Sequence, residues 1–286
     1  MAKCAVCFRH CEIREGEKGF CGARGCRGGA VVPLNYGLLT SLALDPIEKK
    51  PLARFRPGGK VLSLGSFGCN LRCPFCQNHG ISWSEEAMAL GEQVRQVTPE
   101  ELVEAALETR NRGNIGLAFT YNEPLIGWEF ILDTAKLAHE AGLVNVLVTN
   151  GTAEKAVLEE LGPYIDAMNV DLKGFTEGYY RRVLGGDLET VKAFIERAVQ
   201  LCHVELTTLI VPGENDSPEE MRALSAWVAG LRDGEGRQIG PSVPLHVSRC
   251  FPRFHMTDRG PTPVNTVYAL AEIAREKLDY VYTGNC

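Results

Sequence analysis

From residue 60 onward, short β-branched runs alternate with stretches of helical periodicity. The runs "KVLSLGS", "NIGLAFT", "VNVLVTNG", "IDAMNVDLKG", "HVELTTLIVPG" and "VPLHVSR" predict six strands, and "DYVYTG" a short final one. Between them the spacing of apolar residues predicts helices over 98–113, 128–141, 154–161, 187–201, 217–231 and 263–277. Two of these helices announce their starts. Thr98 precedes Pro99 with Glu101 three residues on, a capping box, and Ser217 repeats the Ser/Thr-Pro-Glu-Glu opening.

Strands rich in Val and Leu that alternate with helices imply a parallel sheet with helical crossovers. An open sheet and a barrel both fit that alternation. Almost every strand, however, ends in chemically pointed residues: a cysteine loop, then "TYNEP", "TNG", "DLKG", "VPG" and "SR". Parallel α/β folds build their sites at the carboxyl ends of strands, and six contributing ends converge best if the sheet curves. The expected fold is α/β: a partial (β/α)6 TIM-like barrel over 60–286, preceded by a small Cys-rich metal-binding segment and connecting arm over 1–59.

Composition narrows the function classes. The 286 residues are 45% hydrophobic and 23% charged, with a net charge of −6. No basic run exceeds a pair such as Lys49-Lys50, which argues against nucleic acid and against anionic membranes. Neither a signal-peptide core nor a spanning apolar run is evident, so a cytoplasmic setting is expected. Eleven cysteines in a reducing compartment read as metal ligands or reactive thiols rather than disulfides.

Two cysteine groups carry that chemistry. Cys69, Cys73 and Cys76 follow the first strand with C-x3-C-x2-C spacing. Three thiolates on a tight loop hold three irons of a [4Fe–4S] cube and leave the fourth open. The alternative is zinc completed by a distant ligand such as His79. Cys4, Cys7, Cys11 and Cys21 form a C-x2-C-x3-C-x9-C knot suited to zinc or to a second Fe–S cluster, with Cys26 able to replace Cys21.

The ordered set "CAVCFRHC", "DPIEKKPL", "GCNLRCPFCQN", "TYNEP", "NVDLKG", "VPGEND" and "YVYTGN" resembles the radical SAM superfamily, and within it the pyruvate formate-lyase activating enzyme-like proteins. The nearest branch is the radical SAM member of AmmeMemoRadiSam systems. The resemblance implies that S-adenosylmethionine (SAM) chelates the open iron. Its reductive cleavage then yields a 5′-deoxyadenosyl radical, which abstracts hydrogen from a substrate.

The resemblance also implies site residues. Glu123 would meet the SAM amino group; Thr149, Asn150, Gly151, Asp171 and Lys173 would line its pocket. Val211 would back the adenine, and His246 would reach SAM or substrate. Glu123 as an unpartnered loop residue, Asp171 and Lys173 as a structural pair, and His246 as a core histidine are the bland alternatives. Relatives carry an acidic residue before Thr-Asn-Gly where this chain has Val148, which puts a monovalent cation at the SAM site in doubt. Cys250 and Cys286 follow late strands and are candidate redox-active or substrate-contacting thiols. Expected partners are a low-potential donor (flavodoxin or ferredoxin) and a protein or small-molecule substrate, for instance a glycine of a glycyl radical enzyme. The opposing class is a non-enzymatic iron–sulfur carrier or zinc-stapled scaffold.

Overall fold

The strand-forming runs all condense into one sheet. The computed structural model describes residues 1–89 and 94–286. Its principal strands are β1 (Ser41–Pro46), β2 (Lys60–Gly65), β3 (Asn114–Phe119), β4 (Val144–Thr149), β5 (Ala167–Asp171), β6 (His203–Ile210), β7 (Leu245–Arg249) and β8 (Val281–Gly284). They lie side by side in chain order. β1 runs antiparallel to β2, and every later neighbour is parallel. Crossovers that always step to the same side put all helices on one face and curl the sheet. β1 and β8 stay unpaired with each other, so the barrel is partial. Seven of the strands are parallel because the short final run docks beside β7.

The crossover helices are α1 (Pro99–Glu108), α2 (Trp128–Glu140), α3 (Lys155–Leu161), α4 (Leu188–Ala198), α5 (Pro218–Ala229) and α6 (Val264–Arg275). The expected caps form. Thr98 Oγ1 accepts from the Glu101 amide at 3.2 Å while Glu101 accepts from the Thr98 amide at 2.9 Å. Ser217 Oγ accepts from the Glu220 amide at 3.1 Å. One capping interaction of this kind is worth about 1 kcal/mol. The buried faces of the helices, such as Leu102, Val103 and Ala106 of α1, close on the strands.

The arm between β1 and β2 plugs the amino end of the barrel. The amides of Ala53 and Arg54 donate to the Glu205 carboxylate at 2.9 and 2.7 Å, and Asn169 Nδ2 donates to Pro51 O at 2.8 Å. His203 and His246 complete the shell of Glu205 at 3.0 and 2.7 Å. Burial opposes the charge of Glu205, but these donors outweigh it and hold its carboxyl at about 2. The N-terminal segment docks on the outside: the Glu154 amide donates to Val6 O at 2.9 Å, and Arg24 pairs with Glu129 at 2.7 Å. All eleven cysteines are free thiols. Among the described residues no helix is long and apolar enough to cross a membrane.

Candidate active site

At the carboxyl ends of the strands lies a cavity of about 500 Å³. Cys69, Cys73 and Cys76 line it, together with Glu123, Thr149, Asn150, Asp171 and Lys173. The loop after β2 wraps tightly enough to bring the three thiols to one wall. Gly68 makes this possible: its φ is +92°, and a Cβ there would meet Cys21 O at 2.6 Å. Burial pushes the Cys73 thiol up to about 11, with Lys173 opposing, and burial likewise raises Cys69 and Cys76.

Glu123 is the centre of a second network. Its Oε1 accepts from Thr149 Oγ1 at 2.7 Å and from the Leu125 amide at 3.1 Å; its Oε2 accepts from the Asn150 amide at 2.8 Å. Every one of these donors is neutral. Burial raises the Glu123 carboxyl to about 7, against the pull of the three bonds. Asn150 Nδ2 continues the network to Asn70 Oδ1 at 2.9 Å, and Asn70 Nδ2 donates to Thr152 Oγ1 at 2.7 Å. The cysteine loop, "TYNEP" and "TNG" are thus one hydrogen-bonded unit. Lys173 Nζ lies 2.6 Å from Asp171 Oδ2. Burial works against its ammonium, yet Asp171 and the nearby Cys73 hold it charged.

The structure sorts the remaining expectations. Gly151 stands behind the wall with φ +68°, its α-carbon packed toward Val170 and Phe194 rather than lining the cavity. Val211 is fully buried and off the wall; its amide donates to Asn215 Oδ1 at 2.7 Å, and Leu209 lines the cavity instead. His246 faces the barrel interior, as Ser248 does, but two residues deeper. At about 3.3 Å rise per residue that drops it below the cavity and onto Glu205. Cys250 lines the cavity, whereas Cys286 is exposed and its neighbour Asn285 takes the lining position. Val148 is also in the wall.

Several lining residues had weaker signals in the sequence. Arg249 ends β7, and Phe251 and Arg253 follow it at the mouth. Tyr121, in "TYNEP", has φ +73°, unusual for an aromatic residue. Its hydroxyl donates to Asp45 Oδ2 at 2.8 Å, and Lys50 binds Asp45 at 2.9 Å with its Nζ 4.7 Å from the Tyr121 ring centre. The motif "DPIEKKPL" therefore acts as a clamp on the strand end that carries Glu123.

The model of the radical SAM superfamily matches residues 64–224, more than half of the chain and the part that builds this cavity. The chain belongs to the radical SAM superfamily. An uncharacterized protein of Methanocaldococcus jannaschii is 42% identical over 99% of this chain and 81% of its own length. The pyruvate formate-lyase-activating enzyme of Clostridium pasteurianum is 27% identical over 64% of this chain and 75% of its own. A radical SAM methyltransferase from Sphaerobacter thermophilus superposes with a TM-score of 0.56 at 16% identity, over 80% of this chain and 67% of that one. QueE from Escherichia coli gives 0.51 at 14%, over 87% and 94%. These two likenesses concern the fold.

A radical SAM protein implies a [4Fe–4S] cluster and SAM, and the residues present fit both. Three soft thiol donors, Cys69, Cys73 and Cys76, line one cavity. Three thiolates suit three irons of a cubane and leave its fourth iron open to a ligand. Glu123 presents a carboxylate held by neutral donors only, an arrangement that a ligand cation would complete.

Proposed function

We propose that this radical SAM enzyme binds its cluster through Cys69, Cys73 and Cys76 and SAM across the same cavity, and abstracts hydrogen from a glycine of a partner protein. When bound, the cluster and SAM supply a 5′-deoxyadenosyl radical. The chain's own residues do the positioning. Glu123 accepts the SAM ammonium, with Thr149 and Asn150 fixing the direction of its carboxylate. Lys173, charged and braced by Asp171, offers a cation to the SAM carboxylate. Leu209 and Thr207 give the nucleoside a floor, and the buried wall excludes water from the reacting atoms. Cys250 faces the mouth as a substrate-contacting thiol. Val211, Gly151 and His246 support the wall from behind.

The observation that carries this reading is the meeting of Glu123 and the three cysteines on one cavity. The glycine substrate is supported by the relative named as an activating enzyme. Modification of another protein or of a small molecule is the competing reading. The N-terminal cysteines hold a second metal, zinc or iron–sulfur, in a cap and arm (1–59) whose strand β1 pairs with β2 at the edge of the barrel (60–286). A low-potential flavodoxin or ferredoxin supplies the electron. Eleven free thiols suit a reducing, cytoplasmic setting.

The test is anaerobic incubation with SAM, reductant and a candidate glycyl radical enzyme carrying a deuterated glycine. Deuterium in 5′-deoxyadenosine together with a glycyl radical signal supports the reading. Deoxyadenosine release without either rejects the glycine and leaves the competing substrates. No release at all, with the cluster in place, rejects SAM cleavage.

A further inference from the structure

Each cysteine group carries an arginine inside its own motif: Arg9 between Cys7 and Cys11, and Arg72 directly before Cys73. The fold brings the two together behind the Cys69 loop. Arg72 Nη1 donates to Cys69 O at 2.9 Å and to Leu71 O at 2.8 Å, and its Nη2 donates to Phe20 O. Arg9 Nε donates to Asn70 O at 2.6 Å and its Nη2 to Gly185 O. Both guanidiniums lie against the Phe20 ring, its centre 3.4 Å from Arg9 and 3.7 Å from Arg72. Arg9 also lines the small void shared by Cys4, Cys7, Cys11 and Cys21, from which Cys26 turns away to Glu15 at 3.6 Å.

Every acceptor in this arrangement is a neutral carbonyl, and among the described residues neither arginine donates to a carboxylate. Both side chains are half-buried, so two neighbouring like charges have lost part of their water and repel each other. The face of Phe20 offsets only a little of that cost. Burial works against the Arg72 charge, and the groups that favour it are Cys69, Cys21 and Cys73. Burial works against Arg9 as well, and Cys7, Cys11, Cys69 and Cys21 favour it. Neutral thiols give no such compensation, whereas thiolates bound to a metal do.

We propose that Arg72, with Arg9 beside it, is the counter-charge of the cluster held by Cys69, Cys73 and Cys76 and raises its reduction potential. This rests on reading those three cysteines as cluster ligands. A cubane on three thiolates is anionic, and reduction adds one electron without making or breaking a bond. A fixed positive charge nearby favours the reduced form, which brings the potential within reach of the low-potential flavodoxin or ferredoxin that supplies the electron. Neither arginine lines the cavity or touches a reacting atom; both act from behind the loop.

The test is an anaerobic redox titration of the reconstituted full chain, followed by EPR on the reduced-state signal that SAM alters, since an open iron belongs to the Cys69 loop. Arg72→Gln should shift the reduction equilibrium at least tenfold toward the oxidised form, about 59 mV for a one-electron couple. Arg72→Lys keeps the charge but loses the fork of carbonyl bonds, and should stay within threefold of the unmutated protein. Arg9→Gln leaves every Arg72 bond in place and should shift the equilibrium in the same direction. A smaller shift in Arg72→Gln overturns the counter-charge. So does an equal shift in Arg72→Lys, which would make the carbonyl bonds the cause. If Arg72→Gln does not fold, an unmoved potential in Arg9→Gln overturns it. An unmoved potential with slower, salt-sensitive reduction by flavodoxin would make the pair a docking site for an acidic carrier, and overturns it too. An unmutated protein with no SAM-sensitive signal removes the cluster reading itself, and the counter-charge falls with it.

Discussion

The hydroxyl of Thr149 donates to Glu123 Oε1 at 2.7 Å, joining the ends of two neighbouring strands beneath the cysteine wall. That bond, with the Asn150 amide on Oε2, leaves the carboxylate one fixed direction in which to meet a cation. Glu123→Gln should therefore weaken SAM binding at least tenfold, the scale of one charge-assisted hydrogen bond at about 1.5–3 kcal/mol. Thr149→Val should weaken it less. Iron content should stay at the unmutated level in both, because neither residue is a thiol donor. Anaerobic equilibrium dialysis with labelled SAM, beside iron analysis, checks both.

The raised Glu123 carboxyl makes a pH prediction with a definite sign. Its folded value of about 7 lies above the ordinary 4.5, so the protonated form favours folding and the SAM-free protein loses this contribution as pH rises from about 4.5 to 7. SAM binding should move the other way, strengthening through pH 7 as the carboxylate forms. Glu123→Gln should flatten both curves. Unfolding midpoints and SAM affinity measured from pH 5.5 to 8.5 check this, and parallel curves in the two proteins would refute it.

Asp45 should matter although it touches no cavity residue except Tyr121. Asp45→Ala removes the acceptor of the Tyr121 hydroxyl and strands Lys50, which is 3% exposed. Stranding a buried charge costs about 3 kcal/mol. Released from the clamp, Tyr121 is free to leave its positive φ, and Glu123 shifts with it. We expect a lowered unfolding midpoint and weaker SAM binding. Tyr121→Phe keeps the Asp45–Lys50 pair and should cost only about 1 kcal/mol.

His246 should behave as a structural residue. His246→Gln and Glu205→Ala should lower stability, the second by about 3 kcal/mol because it leaves two backbone amides and two imidazoles without their shared acceptor. SAM affinity should stay within twofold of the unmutated value for His246→Gln. Chemical denaturation and dialysis separate the two effects.

How much of this was legible beforehand depended on the range of the interaction involved. Thr98 and Ser217 could be read as caps because a cap is satisfied within three residues. The triple cysteine could be read because its spacing lies within one loop. Glu123 stood out as a strand-end carboxylate and, through the resemblance, as a SAM contact, but its bonds to Thr149 and Asn150 cross 26 and 27 residues and could not be read. "DPIEKKPL" looked like a connector, because its partner Tyr121 lies 76 residues beyond Asp45. His246 and Ser248 share one face by the strand's period of two, and nothing in that period tells which of them sits at cavity depth.

Period, spacing and turn chemistry thus determined the alternation of strands and helices, the curved parallel sheet and the three-thiol loop, since each is specified by residues a few positions apart. Tertiary structure alone decided the rest. It set Cys250 in the wall and Cys286 outside it, chose Cys21 over Cys26 at the knot, and turned an unremarked aspartate into the clamp behind Glu123. Those choices depend on how far each strand slides along its neighbour and which loop covers which end, and they are made only when the whole sheet packs.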